Sequence, residues 1–436
     1  MNKHFCAARD AGFYDPLEIA DPDERERALM AALPAQIQHA KAAAPAFAEL
    51  FAGIDAAGVN SRAALAGLPV TRKAELQARQ QRLRGVDSLG AFGGYSAIGW
   101  AARGGSGAKR VFQSPGGIYE PQGQEADYWR VARALFAAGV RAGDLLHNSF
   151  SYHLTPAGSM MEGGAHALGC TVFPAGVGNT ELQLQAINDL HPQAYVGTPS
   201  FLRILLEKAC ELGLPTASLH KALLSGEAFT PSLRDWFLAR GVAAYQCYAS
   251  ADLGLIAYET SAREGLVLAE GLIVEIVRPG TAEPLPDGEV GEVGELVVTS
   301  LNPDYPLIRF GTGDLSAVLP GRCPTGRSNT RIKGWLGRAD QSVKVRGMFV
   351  HAAQVAEIMR RFPALGRARL VVEGAMAQDR MSLHIEAEAT GAVEGLSEQI
   401  EAAIREVTKL RGEVVWRAPG SLANDGLVIE DVRSYQ

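Results

Sequence analysis

The sequence predicts an α/β protein with a large N-terminal domain and a small α+β C-terminal domain. The large domain combines parallel sheet and helices with an antiparallel β subdomain. Three observations carry this. Between residues 127 and 250, short apolar runs alternate with amphipathic ones, the pattern of a parallel sheet covered by helices. After residue 260 the texture becomes alternately apolar and polar, broken by Pro-Gly and Asp-Gly, the pattern of antiparallel hairpins. After "GWLGRAD", residues 340–436 read as strand, helix, strand, strand, helix, strand, a second folding unit with its boundary near Asp340.

The elements follow in order. Residues 15–50 and 60–90 are rich in alanine, leucine and charge, with prolines near the expected helix starts, and read as a variable helical start up to about residue 90. In the alternating part, "DYWRVARALFAAGV", "AGSMMEGGAHALG", "ELQLQAINDLHP" and "SFLRILLEKACELG" read as helices. "GDLLHNSF", "CTVFPAG", "AYVGTP" and "KALLSGEAF" between them read as strands, followed by a short strand "VAAYQ". Sites in such sheets lie beyond the carboxyl ends of the strands, which here carry "FSYHLTP", "PAGVGNTE", "GTPS" and "SGEAF".

Composition narrows the function. The chain has 436 residues, 47% hydrophobic and 21% charged, enough for a large core. A net charge of -6 argues against nucleic-acid and anionic-membrane partners. No apolar run approaches the roughly 20 residues of a membrane span, and "MNKHFCAARDAGFYDP" lacks the apolar stretch of a signal peptide. The five cysteines are scattered without metal-type spacing, so a reducing, cytoplasmic setting is expected.

Each loop admits a chemical and a bland reading. Asp314 in "RFGTGDL" stands at a strand end in a glycine turn, able to accept two ribose hydroxyls or simply to close a hairpin. Glu227 in "SGEAF" lines a pocket or faces solvent before "TPSLRDWFLA", whose N-cap is Thr230. In "CYASADLG", Tyr248 stacks on a purine and Asp252 holds a hard cation such as Mg²⁺; the alternative is a core tyrosine and a capping aspartate. "ARGGSGAKRVF" offers backbone amides and Lys109 to a phosphate, without the Walker pattern, or is a surface loop. Phe150, Tyr152 and His153 are candidates for an organic acid's pocket, although a lone histidine is more often structural. "GRADQSVKVRG" is a functional boundary or a polar linker with a solvated strand face.

The order of these stretches resembles the adenylate-forming superfamily. The resemblance is strongest to the phenylacetate–CoA ligase family, including coenzyme F390 synthetase-like proteins. It rests on "PAGVGNTELQ" and "GEVGELVVTSLNPDYPLIRFGTGDL" and spans roughly residues 90–436. It implies a mobile C-terminal domain and a two-step reaction. ATP and a carboxylic acid give an acyl-adenylate and pyrophosphate, and CoA then displaces AMP. By position it implies Ser106, Gly107 and Lys109 in the phosphate loop, and Glu227, Ala228 and Tyr248 around the adenine. It implies Asp314, helped by Arg338, on the ribose, and Asp252 at the Mg²⁺ position, where the family usually has glutamate. Asp340 would be the hinge. Lys344 matches a lysine that luciferase-like members present in the second half-reaction. The resemblance also suggests a dimer.

The departures are specific. The family's C-terminal loop usually carries a glycine-lysine pair whose lysine meets the carboxylate and α-phosphate during adenylation. Here the pair is Gly426-Leu427, and beyond it the tail has only Arg433 as a cation. Losing one positioned charge of this kind costs about 10²–10³ in rate. "ARGGSGAKR" has fewer hydroxyls than the family's phosphate loop and lacks its Lys-Pro, and Ala249 replaces a usual glycine. Some relatives carry clustered cysteines; "CPTG" keeps only Cys323, so no structural zinc is expected. The resemblance and its departures therefore point to an AMP-forming acyl- or aryl-CoA ligase with weakened adenylation, using ATP, Mg²⁺ and CoA on a small carboxylic acid, aromatic by expectation. The alternatives are nucleotidyl transfer of the F390 synthetase type and a non-catalytic nucleotide- or acid-binding paralogue.

Overall fold

The computed structural model describes residues 9, 12–100, 107–114, 116–278, 281–285, 291–336, 338–339, 342–346, 348–363, 365–374, 379–387, 395–423 and 427–433, without the side chains of 342, 344, 349, 351 and 353. The chain divides into two compact units, Met1–Gly337 and Arg338–Gln436. Among the described residues, no helix is long and apolar enough to cross a membrane.

The helical start of the first unit is organised by its prolines and acidic caps. Helix Pro22–Ala43 begins with proline, and its N-cap Asp21 accepts from the backbone N–H of Asp23 and Glu24. Pro45 then opens a second, short helix, Pro45–Leu50. The helical reading of residues 60–90 is interrupted. A two-residue strand, β1 (Thr71–Arg72), separates helix Arg62–Ala66 from helix Lys73–Leu83.

A hairpin follows, β2 (Arg110–Ser114) and β3 (Ile118–Gln122). The parallel strands are β4 (Leu145–Asn148), β5 (Thr171–Phe173), β6 (Ala194–Gly197), β7 (Lys221–Leu224) and β8 (Ala243–Ser250), in the order β5-β4-β6-β7-β8. Their connecting helices are Ala157–Leu168, Thr180–Leu190, Pro199–Leu212 and Pro231–Leu238. Every residue of β6 is buried, which is why "AYVG" shows no alternation. Beyond β8 the sheet turns antiparallel through β9 (Gly254–Glu259) and β10 (Leu266–Leu268).

The antiparallel texture after residue 260 forms a four-stranded sheet. Strands β11 (Leu272–Val277), β12 (Gly294–Ser300) and β13 (Phe310–Ser316) pair antiparallel, and β1 from the helical start adds parallel to β13. Two short strands, β14 (Val318–Leu319) and β15 (Arg331–Ile332), return to the edge of the large sheet beside β10.

Arg309 fixes this arrangement. It is fully buried and has a positive φ of 45°, just before β13. Its Nε and one terminal nitrogen donate to the two oxygens of Glu275 on β11, both at 3.0 Å. The terminal nitrogens also donate to the carbonyls of Ala66, Leu68 and Ala282. All five guanidinium hydrogens are thus used, and the backbone after helix Arg62–Ala66 is tied to the sheet. Burial raises the Glu275 carboxyl from its usual range, while Arg309 opposes that rise.

The second unit has a hairpin, β16 (Ser342–Val345) with β17 (Met348–His351), where "QSVKVRG" had suggested a single strand. Strands β18 (Ala368–Glu373), β19 (Arg380–Glu386), β20 (Glu413–Arg417) and β21 (Ile429–Asp431) form a mixed sheet in the order β20-β19-β18-β21. Helices Ala352–Arg360 and Leu396–Thr408 belong to the same unit. Leu370, Val372, Leu383, Ile385, Ile400 and Ile404 share its core.

Replacing Arg309 by methionine leaves Glu275 buried without its cation and three carbonyls without a donor. The expected loss is about 3–5 kcal/mol of unfolding free energy, read by urea denaturation followed by circular dichroism. A loss below about 1 kcal/mol, the worth of an exposed pair, would contradict the role given to this residue.

Candidate functional site

The carboxyl ends of β4, β6 and β7 meet. Gly226, with φ +84°, is so placed that a Cβ would lie 3.8 Å from Thr198 Cγ2 and 4.0 Å from Phe150 Cε1. The "SGEAF", "GTPS" and "FSYH" loops therefore touch at one glycine. Thr198 caps helix Pro199–Leu212 by accepting from Phe201 N. Glu227 adds a carboxylate at the same helix end, Oε2 accepting from Ser200 N at 3.2 Å. Thr230 caps the next helix, as the sequence indicates, so Glu227 serves a different helix from the one that follows it. Ala228 is half-buried beside it.

The two sheets of the first unit are joined at Tyr248 and Asp314. Tyr248 lies within β8, where the ladder to β9 shifts register between Tyr248 and Ala249. Its hydroxyl donates to Asp314 Oδ2 at 2.7 Å, and Trp335 Nε1 donates to Asp314 Oδ1 at 3.0 Å. Asp314 is inside β13 and not in a terminal turn as its flanking glycines suggest. Those glycines answer local needs. A Cβ on Gly311 would come within 2.6 Å of the Arg72 guanidinium and 2.8 Å of Glu295, which pair with each other, and Gly313 has φ +72°.

The first unit also holds a buried charged group. Lys73, the first residue of helix Lys73–Leu83, donates to Asp252 Oδ2 at 2.8 Å. The Asp252 side chain is 1% exposed and its Oδ1 has no hydrogen-bond partner. Glu120 of β3 is as deeply buried. Its Oε1 accepts from Ser114 Oγ at 2.5 Å and its Oε2 has no partner. Burial, reinforced by the negative charge of Asp252, pushes the Glu120 carboxyl up to about 8, so it is uncharged at neutral pH. The Tyr305 hydroxyl is also buried and unpartnered, and burial together with Asp252 and Glu120 drives its pKa upward.

A neutral polar network backs the β4 and β5 loops. His147 stacks on Phe173 with ring centroids 5.4 Å apart, and its Nε2 donates to Gln183 Oε1 at 2.9 Å. Ser149 Oγ donates to the same oxygen, and Gln183 Nε2 donates to the carbonyls of Gly176 and Gly178 in "PAGVGNTE". Burial lowers the pKa of His147, against the raising effect of Gln183. Asn148 Nδ2 donates to the Tyr152 hydroxyl and to the Gly158 carbonyl, both at 2.8 Å. Burial and Glu162 raise the pKa of Tyr152.

The structure thus brings Phe150 and Tyr152 into one loop at the end of β4, Phe150 buried and Tyr152 half-buried. His153 is exposed, so neither a core role nor burial applies to it, and the buried histidine of this strand is His147. Gly107 and Lys109 lead into β2. The Gly107 carbonyl accepts from Gln124 Nε2, Lys109 N donates to the Gln122 carbonyl, and the Lys109 residue is exposed. Ser106, Asp340 and Gly426 lie outside the described residues, as does the Lys344 side chain, whose backbone is in β16. Arg338 and Leu427 belong to the second unit, and Leu427 is 45% exposed. Cys323 is buried against the hydroxyls of Thr260 and Thr325.

Sequence reasoning missed Lys73, Glu120, Trp335 and Gln183. The first three partner residues far along the chain or on another strand, and nothing local marks them. Gln183 had a signal: it follows a glycine-rich loop on an otherwise apolar helix face and is buried.

Comparison with known proteins fixes the class. Residues 149–302 match the family model of AMP-binding enzymes. The fold is that of a solved 2-hydroxyisobutyryl-CoA ligase complexed with 2-HIB-AMP and CoA (TM-score 0.78, 24% identity, 98% of this chain and 93% of that one). The fold is therefore that of adenylate-forming CoA ligases. It is 30% identical to the phenylacetate-coenzyme A ligase of Aromatoleum evansii over 91% of this chain and 89% of the relative. It is also 30% identical to that of Escherichia coli K12, over 80% of this chain and 79% of the relative. It belongs to the phenylacetate–CoA ligase family, AMP-forming carboxylic acid–CoA ligases.

The neutral His147 gives a pH signature. Its folded pKa is depressed, so the folded state binds fewer protons than the unfolded chain below the ordinary histidine value near 6.5. The stability this provides is complete above about 6.5 and is lost as pH falls through that value, by at most about 1.4 kcal/mol per pH unit. His147→Phe keeps the stack and removes the titration. Its unfolding free energy should fall less than the wild type's between pH 7 and pH 5.5; parallel curves would refute the assignment.

Proposed function

We propose that the protein activates a small carboxylic acid, aromatic by preference, as an acyl-adenylate and transfers the acyl group to CoA. Supporting this is the Asp314 carboxylate, held between Tyr248 and Trp335 where two sheets join, in a chain that belongs to a CoA ligase family. In this reading Asp314 accepts the ribose hydroxyls, and the resemblance assigns Arg338 to the ribose as well. Tyr248, Glu227 and Ala228 border the adenine. Ser106, Gly107 and Lys109 meet the phosphates, and Phe150, Tyr152 and His153 border the acid.

The chemistry needs a leaving group, because a carboxylate is a poor electrophile and AMP departs readily. Mg²⁺ supplies neutralisation of the triphosphate charge when bound. The residues present fit it, since Asp252 offers a buried oxygen, Oδ1, that no protein group satisfies. Aspartate is one methylene shorter than the family's glutamate, so it would reach the ion through water unless another residue extends the site.

The first half-reaction is the weak one. Leu427 stands where the family has its adenylating lysine, and no hydrocarbon can supply that charge. Lys344 serves the second half-reaction, with Asp340 as the hinge between the two arrangements.

The test is pyrophosphate release from ATP and Mg²⁺ with a panel of aryl and short acyl acids, with and without CoA. Release that depends on one acid, with its CoA thioester formed, is the expected result. Adenylate without thioester would favour nucleotidyl transfer, and nucleotide binding without release a non-catalytic paralogue. Leu427→Lys should raise pyrophosphate release by about 10²–10³. No gain would move the lesion to the phosphate loop or Asp252.

A further inference from the structure

We propose that Glu120 is a second carboxylate ligand of a divalent-cation site completed by Asp252. This extends the Mg²⁺ role given above to Asp252 alone, and it rests on that reading for the identity of the ion.

Each carboxylate has one oxygen bound by a protein donor and one left over. Asp252 gives Oδ2 to Lys73 and keeps Oδ1; Glu120 gives Oε1 to Ser114 and keeps Oε2. Both residues are at least nine-tenths buried, Glu120 at 1% exposure and Asp252 at 7%. A third oxygen, the hydroxyl of Tyr305, is 3% exposed as a residue, has no partner, and interacts electrostatically with both carboxylates. Unsatisfied buried oxygens are costly, and three sharing one environment call for a common partner.

The chemistry selects the partner. The oxygens left over are hard donors, which suit Mg²⁺ or Mn²⁺. A divalent charge there would offset the burial, and the repulsion by Asp252, that keep Glu120 protonated. Among the described residues no group of three histidine, cysteine, aspartate or glutamate side chains surrounds a metal position. The remaining coordination positions are then open to water or nucleotide phosphate, as is usual for Mg²⁺.

The placement is also built. Helix Lys73–Leu83 supplies Lys73 at its first residue. Gln80 on the same helix is fully buried, exchanging two hydrogen bonds of 2.8 Å with the backbone of Tyr119, the neighbour of Glu120. One helix therefore positions both the hairpin carboxylate and the cation on Asp252. The longer glutamate arm from β3 makes up for the short one on Asp252.

The experiment is Mn²⁺ titration of the metal-stripped full chain, without nucleotide, with free Mn²⁺ read by electron paramagnetic resonance. The expected result is one bound Mn²⁺ per chain, with binding at least tenfold weaker in Glu120→Gln and lost in Asp252→Asn. Binding that Asp252→Asn removes and Glu120→Gln leaves intact would overturn the assignment of Glu120, and no bound Mn²⁺ would overturn the site. If Glu120→Gln fails to fold, Glu120→Asp decides. The shorter arm should weaken Mn²⁺ binding several-fold, and unchanged binding overturns the assignment of Glu120. Because the titration needs neither acid nor turnover, its outcome is separate from the pyrophosphate assay.

Discussion

The first unit depends on the ion pair between Arg309 and Glu275. An arginine with no exposure must have every hydrogen matched, and this one spends two on a carboxylate across the four-stranded sheet and the rest on carbonyls. Those carbonyls lie at the end of helix Arg62–Ala66, in the turn after it, and in the segment following β11. The arginine thereby sets where β13 begins, and five residues later the chain delivers Asp314. Between them Gly311 leaves room for the Arg72–Glu295 pair and Gly313 turns the backbone, so the spacing of "RFGTGDL" is fixed by contacts at each position.

From that anchor the site is assembled by groups that reach between layers. Tyr248 crosses from the large sheet to Asp314 on the small one, and Lys73 crosses from the helical start to Asp252. Glu227 closes onto helix Pro199–Leu212, one strand back from the helix it precedes. The polar groups divide into two kinds. Those around His147 and Gln183 are neutral and satisfied, and they hold loops in place. Those around Glu120 and Asp252 are acidic and partly unsatisfied, an arrangement that costs stability unless a ligand repays it.

Much of this was legible in the sequence because the periodicities are strong. The helices and parallel strands from "GDLLHNSF" to "KALLSGEAF" match the structure within a few residues, and after residue 340 so do both helices and β18 to β20, whereas β17 and β21 were not read. What was not legible has physical causes. "TR" at residues 71–72 becomes a strand only because β13 accepts it as a neighbour. "VAAYQ" extends to Ser250 because β9 pairs with its far end, carrying Tyr248 into the strand. Asp314 looked like a turn residue because its glycines serve side-chain clearance and a positive φ within a strand. Lys73 resembled any lysine at a helix start, since its partner lies 179 residues further on.

Trp335 holds Asp314 through its indole N–H while its ring remains 44% exposed, two residues before the first unit ends. An indole hydrogen-bonded to a carboxylate at a half-open surface has an emission that follows the occupancy of that carboxylate. The protein thus carries a built-in optical probe at the oxygen assigned to the nucleotide sugar, and ligand arrival there is observable by light without any label.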